Sequence, residues 1–260
     1  MPHINEIVSE EQRKIFGIRS GEMNQHSQYS LHTSSFRTRN GVESYCNWYA
    51  IAVDAPSFDV VGTFWASRLG RYVAFVHWCI SRGITLEQDW DIDILYLKNE
   101  ASREPSIHYV VKMVAFHPED NGDKNVQLHD FYQNYLSPMI HTVANVCEIK
   151  SSMLWGQLVQ SIPYFLKEVS KFESEVMAET ITSSWEYMKE TAPAHVFLEE
   201  KNPFPYRSLE IANPKNAAVP MQTKAACCLY FKLSGNYCYS CPRLTPAKRQ
   251  EKYDVLIKKQ

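Results

Sequence analysis

The chain has little glycine. Its nine glycines among 260 residues form no Gly-rich phosphate loop, so direct binding of a nicotinamide or flavin nucleotide is not expected. Charge imbalance is also missing. Lysine and arginine total 27 against 29 acidic residues, a formal charge of −2, which gives no general attraction to nucleic acid or an anionic membrane. No apolar run approaches the roughly 18–20 residues that span a bilayer. The opening Met1-Pro2-His3-Ile4-Asn5-Glu6 has no basic stretch followed by an apolar core, so a secretory signal is not expected. There is no internal repeat. These absences lead to the expectation of a soluble, cytoplasmic protein with no integral membrane segment. With 45% hydrophobic, 13% aromatic and 22% charged residues, the chain has the composition of a globular protein with a substantial core.

Cysteine is present, and unevenly. Cys46, Cys79 and Cys147 stand singly, whereas Cys227, Cys228, Cys238 and Cys241 fall within fifteen residues. An adjacent pair, nine intervening residues, then Cys-x-x-Cys and Pro242 form a compact thiolate set. Thiolates select zinc, copper(I) or iron–sulfur clusters, and four of them are the usual holders of an iron–sulfur cluster. In the intervening arm, Leu229-Tyr230-Phe231 reads as strand and Ser234-Gly235-Asn236 as a tight turn that returns the second pair to the first. Zinc is a competing reading, although two adjacent residues then have to face one small ion. A two-iron cluster is a wider target. A disulfide framework fits poorly with an odd cysteine total and no signal. Four unligated core cysteines fit poorly with so short and polar a stretch.

This stretch resembles the C-terminal signature of the FhuF-type ferric-siderophore reductases, in which Cys-Cys, about ten residues and Cys-x-x-Cys hold a [2Fe–2S] cluster. Cys227-Cys228-Leu229-Tyr230-Phe231-Lys232 is similar to that family's Cys-Cys-Leu-Tyr-Tyr-Arg form. Ile149-Lys150-Ser151-Ser152-Met153-Leu154-Trp155-Gly156-Gln157 resembles its Leu-Trp-Gly-Asn segment at the start of a long helix, and Asn202-Pro203-Phe204 is a third, weaker landmark. The likeness covers roughly residues 64–242. The gap between Cys228 and Cys238 is one residue shorter than usual, and Lys224-Ala225-Ala226 stands where the family has Arg or Ser/Thr before the pair.

The resemblance implies a cytoplasmic enzyme, at most peripheral to the inner membrane. It would reduce the Fe³⁺ of a ferric siderophore, of hydroxamate or citrate type, to Fe²⁺ by one electron. Cys227, Cys228, Cys238 and Cys241 would be cluster ligands. A protein such as ferredoxin or flavodoxin would supply electrons, and nucleic acid is not a partner. Lys232, Arg243 and Lys224 flank the cysteines and are candidate contacts for an anionic chelate, or solvated surface charges. Trp155 is a candidate lining residue, or a packing tryptophan. The alternative functions are a zinc-stapled module binding a siderophore or protein, and an iron–sulfur sensor or electron carrier.

Along the chain, Ser9-Glu10-Glu11-Gln12 is a capping-box pattern opening a short helix that stops at Gly17. Residues 19–40 read as a polar loop or lid containing His26 and His32, for which surface exposure is the ordinary expectation. Residues 58–81 carry apolar positions at helical spacing, with His77 and Cys79 read as core residues. Residues 91–97 and 107–116 read as an antiparallel strand pair. Asp89, Asp91 and Asp93 lack the glycine and closing Glu of a calcium loop and read as acids on a strand's solvent face. A turn-rich loop over 117–125 contains Asn121-Gly122. Helices are expected over 127–147, kinked at Pro138, over 153–169, capped by Ser151-Ser152 and interrupted at Pro163, and over 173–189. A terminal helix over 245–258 presents Lys248, Arg249, Lys252, Lys258 and Lys259 as a solvated face or a docking face for an acidic electron donor. The expected fold is α+β and mostly helical. It has an N-terminal α+β region at 1–125, a helical region at 126–222 and a cysteine module at 223–260.

Overall fold

The computed structural model describes residues 4–19, 27–86, 90–102, 104–111, 114–116 and 123–258. His26, Asp89, the Asn121-Gly122 turn and Lys259 lie outside them. The fold is α+β and mostly helical, as expected.

A short helix α1 (Ile4–Ile7) precedes α2 (Glu10–Phe16). The Ser9 hydroxyl accepts from the Gln12 amide at 3.2 Å, and the Gln12 side chain accepts from the Ser9 amide at 3.0 Å. Gly17 closes the helix at φ +66°, a conformation that costs glycine little. Strand β1 (Ile18–Arg19) follows. Residues expected to form a loop contribute instead β2 (Tyr29–His32) and a 3-10 turn at Thr33–Arg37. Neither has the length or strict alternation that makes a strand visible in sequence. Helix α3 (Arg39–Val53) is capped by Thr38.

Helix α4 (Phe58–Arg82) is the central element and is buried on nearly all sides through its second half. Gly83 ends it at φ +70°. His77 is a satisfied core residue, 3.0 Å from both the Ser184 hydroxyl and the Tyr132 hydroxyl. Burial lowers its pKa to about 3. Cys79 is fully buried.

Strand β3 (Ile84–Leu86) leads to the expected hairpin, β4 (Asp93–Leu97) and β5 (Ser106–Val110). Its antiparallel register places Tyr96 opposite Ile107. The complete sheet is mixed rather than antiparallel: the order is β1-β5-β4-β2, with β1 parallel to β5. The strand expected over 107–116 divides, and β6 (Val114–Phe116) pairs with β3. Asp91 and Asp93 are not on a solvent face. Asp91 accepts from the Thr33 hydroxyl at 2.8 Å and the Ser34 amide at 2.9 Å. Asp93 is buried, 3.0 Å from Nδ1 of His32. The acids fasten β4 to the turn after β2, and this partner is remote in sequence.

The helix expected over 127–147 is built in three parts. These are α5 (Lys124–Asp130), a π-helical stretch at Phe131–Leu136, and α6 (Ser137–Val146), with Pro138 in the first turn of α6. Proline loses least there. Helix α7 (Ser151–Ser170) runs through Pro163 without ending. Burial of its apolar face against α4 offsets the lost backbone bond, worth about 3 kcal/mol. Ser151 and Ser152 are its first helical residues rather than its cap, which is Lys150. Helix α8 (Glu175–Glu186) continues as a π-helical turn to Thr191. A small ladder of β7 (Glu210–Ile211) and β8 (Met221–Gln222), then α9 (Phe231–Ser234) and α10 (Pro246–Ile257), complete the order.

The principal packing is α4 against α7. A Cβ on Gly70 would lie 1.9 Å from the Ser161 hydroxyl, so glycine permits that approach. One buried core runs from Ile4 to Leu244 and draws on all three expected regions.

Candidate metal centre

The module holding the four cysteines has little regular structure of its own. It is seated on α4 and α7. The Thr63 hydroxyl of α4 donates to the Cys228 carbonyl at 2.8 Å, and Gln157 of α7 donates to the Ala226 carbonyl at 3.4 Å. Gly156 admits the backbone: a Cβ there would stand 2.5 Å from the Ala226 Cβ. From the far side, the Arg249 guanidinium donates to the carbonyls of Tyr239, Cys241 and Leu244 at 2.6, 3.0 and 3.1 Å. One residue of the basic terminal helix is therefore an internal clamp.

The expected strand at 229–231 is absent. Leu229 adopts the left-handed conformation at φ +58°, unfavourable for a branched side chain. A helical turn, α9, then begins. β-forming residue types are overridden because the chain must reverse at once to return the second cysteine pair. Gly235 supplies the positive φ, +72°, that the Ser-Gly-Asn turn requires.

The thiols stand in two pairs. Cys241 donates to Cys227 across 3.5 Å, and Cys238 donates a hydrogen bond to the Cys228 sulfur. Two thiolates on one tetrahedral metal at about 2.3 Å are about 3.7 Å apart, so the Cys227–Cys241 separation fits two ligands of one ion. Among the described residues, no group of three or more His, Cys, Asp or Glu side chains is placed to hold a metal ion. The four thiols thus stand as two contacting pairs rather than as one convergent set.

Electrostatics distinguishes the pairs. The bond from Cys238 holds the Cys228 thiol down at about 5, helped by the Tyr230 amide and the charge of Lys224 and opposed by burial. The same bond pushes Cys238 up. Burial raises Cys227 to about 11 against the Leu229 amide, which lowers it. The amides after the cysteine pair therefore point at sulfur, as a thiolate set requires. Cys227 and Cys241 are buried, whereas Cys228 and Cys238 are partly exposed.

Lys232 lies on the outer side of the arm, ion-paired with Asp59 of α4. Arg243 is exposed and lines a cavity of about 430 Å³ that reaches Cys227. Trp155 is fully buried. Its ring packs on Phe197 and Phe204 at 5.6 and 5.5 Å, and its indole donates to Glu199 at 3.1 Å. It is a packing residue that joins α7 to the segment around Phe197 and Phe204.

A larger cavity, about 640 Å³, opens on Cys228 between α4, α7 and the β4–β5 hairpin. Arg68, Arg71, Gln157, Gln160, Ser161, Tyr164 and Lys224 supply its polar lining. Sequence reasoning missed all but Lys224. The signals available are two arginines three apart in an apolar helix and polar residues of α7 at helical spacing, a pattern that a solvated helix edge shows equally.

Among the described residues, no helix is long and apolar enough to cross a membrane. Compared with models of known protein families and with curated proteins, the chain gives no match.

Proposed function

We propose that this chain is a ferric-chelate reductase of the FhuF type, acting in the cytoplasm, in which Cys227, Cys228, Cys238 and Cys241 hold a [2Fe–2S] cluster. The observation that carries the reading is the paired arrangement of four thiols, each of Cys227 and Cys228 facing an amide that follows it. When bound, such a cluster supplies one electron at a potential tuned by hydrogen bonds to sulfur and by exposure.

The chain's own residues do the rest. The amides of Leu229 and Tyr230 and the ammonium of Lys224 stabilise negative charge on sulfur. Burial of Cys227 and Cys241 keeps water from one side, and partial exposure of Cys228 brings the other side to the wall of the larger cavity. A chelate seated there stands beside the thiol set, close enough to receive an electron without a nucleotide cofactor. The substrate's Fe³⁺ is held by hard oxygen ligands. Reduced to Fe²⁺, it is a softer ion that those ligands hold poorly, so iron is released. Electrons would come from a protein donor such as ferredoxin or flavodoxin.

The reading is tested by adding one equivalent of ferric citrate or a ferric trihydroxamate to anaerobic, dithionite-reduced protein freed of excess reductant. Recovery of the oxidised visible spectrum together with ferrous iron trapped by a chromogenic chelator is the expected result. A coloured protein that stays reduced with every chelate rules out the reductase.

A further inference from the structure

The cavity at Cys228 has a charge pattern that selects its occupant. Three cations line it, Arg68, Arg71 and Lys224, against one carboxylate, Glu104. Arg68 is already satisfied: its guanidinium pairs with Glu104 and donates to the Phe64 carbonyl at 3.0 Å. Arg71 is not. Its guanidinium lies 5.3 Å from the Phe165 ring centroid, a contact that holds it in place without neutralising it. Its Nε is buried with no hydrogen-bond partner, and no carboxylate pairs with it among the described residues. Burial lowers its affinity for its proton. A desolvated guanidinium with an unused donor is costly unless an anion completes it. Lys224 has no carboxylate partner among the described residues but faces the Cys228 sulfur, so Arg71 is the cation the cavity leaves for a ligand.

We infer that this cavity binds a carboxylate-bearing ferric chelate, of the polycarboxylate class that citrate represents, and that Arg71 is the carboxylate's partner. The planar fork of a guanidinium matches a carboxylate in a bidentate contact. A neutral trihydroxamate chelate offers it nothing comparable. The cavity volume, about 640 Å³, lies within the usual range for small-molecule sites. Gln157, Gln160 and Tyr164 on α7 add neutral hydrogen-bonding groups opposite the arginine, suited to hydroxyl and carboxyl oxygens. The inference deepens the reductase reading and rests on it for the role of iron. The recognition of carboxylate stands on the cavity alone.

The test separates the two. Gallium(III) citrate has the shape and charge of the ferric complex and is not reduced. Its binding to the whole protein, and that of gallium(III) desferriferrichrome, a neutral trihydroxamate complex, is measured by calorimetry alongside reduction of the two ferric complexes. The expected result is binding of gallium citrate and not of the hydroxamate. The expected loss of affinity is about tenfold to a hundredfold in Arg71→Gln, with partial recovery in Arg71→Lys, which keeps the charge without the fork. Gln160→Glu leaves Arg71 and its packing intact and adds a negative charge to the same cavity, so it weakens citrate binding even if Arg71→Gln fails to fold. Equal or tighter hydroxamate binding, or gallium citrate affinity unchanged in both variants, overturns the inference. Reduction of ferric hydroxamate without citrate binding refutes the substrate class and leaves the reductase standing. Arg71-dependent citrate binding with no reduction of any chelate leaves the site and refutes the reductase.

Discussion

The pair Cys46–Cys147 and the pair Cys227–Cys241 have nearly the same sulfur separation, 3.7 and 3.5 Å, and opposite surroundings. Cys46 and Cys147 lie in the core, 1% and 3% exposed. The hydrogen bond between them and their burial raise Cys147 far above the ordinary thiol range. They are small and buried, and Gly62 makes room for one of them, with only 3.0 Å between a Cβ there and the Cys147 sulfur. The C-terminal pair has a second thiol pair beside it, amides aimed at sulfur, a nearby lysine and an opening to a cavity. Sulfur proximity by itself does not make a ligand site. In the body a single backbone bond, from Gly62 to Cys147, is outweighed by the Cys46 thiol and by burial, whereas in the module the Cys238 thiol, the Tyr230 amide and Lys224 together hold Cys228 down.

The largest effect expected from this contrast is all-or-none. Cys228→Ser or Cys238→Ser should abolish visible absorbance and bound iron, whereas the double variant Cys46→Ala/Cys147→Ala should retain both and lose only about 1–2 kcal/mol of stability from lost packing. Iron analysis with a denaturant melt separates the outcomes. Colour lost in the core double variant would erase the distinction.

The seat between body and module is the next place to probe. Gly156→Ala forces a methyl group against Ala226 and should cost up to about 3 kcal/mol by overpacking. Ala226→Gly in the same chain should recover most of it, a coupling that a double-mutant cycle measures. Additive losses would mean that the module does not rest on α7 there.

The body's treatment of ionisable groups has a pH signature. His77 is held neutral with its pKa lowered to about 3 by burial. As pH falls below the unfolded value of about 6.5, the unfolded chain takes up a proton that the folded chain refuses, so stability is lost with acid. The loss from this residue between pH 7 and pH 5 should be about 2 kcal/mol. It should be absent in His77→Gln, as read from urea melts at both pH values. An unchanged slope in the variant would contradict it. The smallest effect is expected of Thr63→Val, which removes the bond to the Cys228 carbonyl. It should cost about 1 kcal/mol, seen as faster loss of cluster colour on warming.

Much of this was legible in the chain. Ser9 and Gln12, Gly17 and Gly83 mark helix ends because caps are local chemistry. The spacing of Cys227, Cys228, Cys238 and Cys241 selects a thiolate set for the same reason. What was not legible depends on remote partners. The pairing of β1 with β5 joins Ile18 to Tyr109, and Asp93 is buried by a contact to His32. Leu229-Tyr230-Phe231 is rich in strand formers, yet the return of the thiols bends it into the left-handed region. Nothing local marks Arg68 and Arg71 as site residues, because arginines three apart are common on a helix edge. They line a cavity because α7 and the β4–β5 hairpin close around them, and no property of α4 alone reveals it.

The central claim is that four thiols hold two irons. The most direct measurement is iron, zinc and acid-labile sulfide per chain in anaerobically purified protein made with ample iron, together with an electron paramagnetic resonance spectrum after dithionite. The account predicts about two irons and about two sulfides per chain, with a paramagnetic signal that appears on reduction. One zinc per chain, no sulfide and no signal would contradict it.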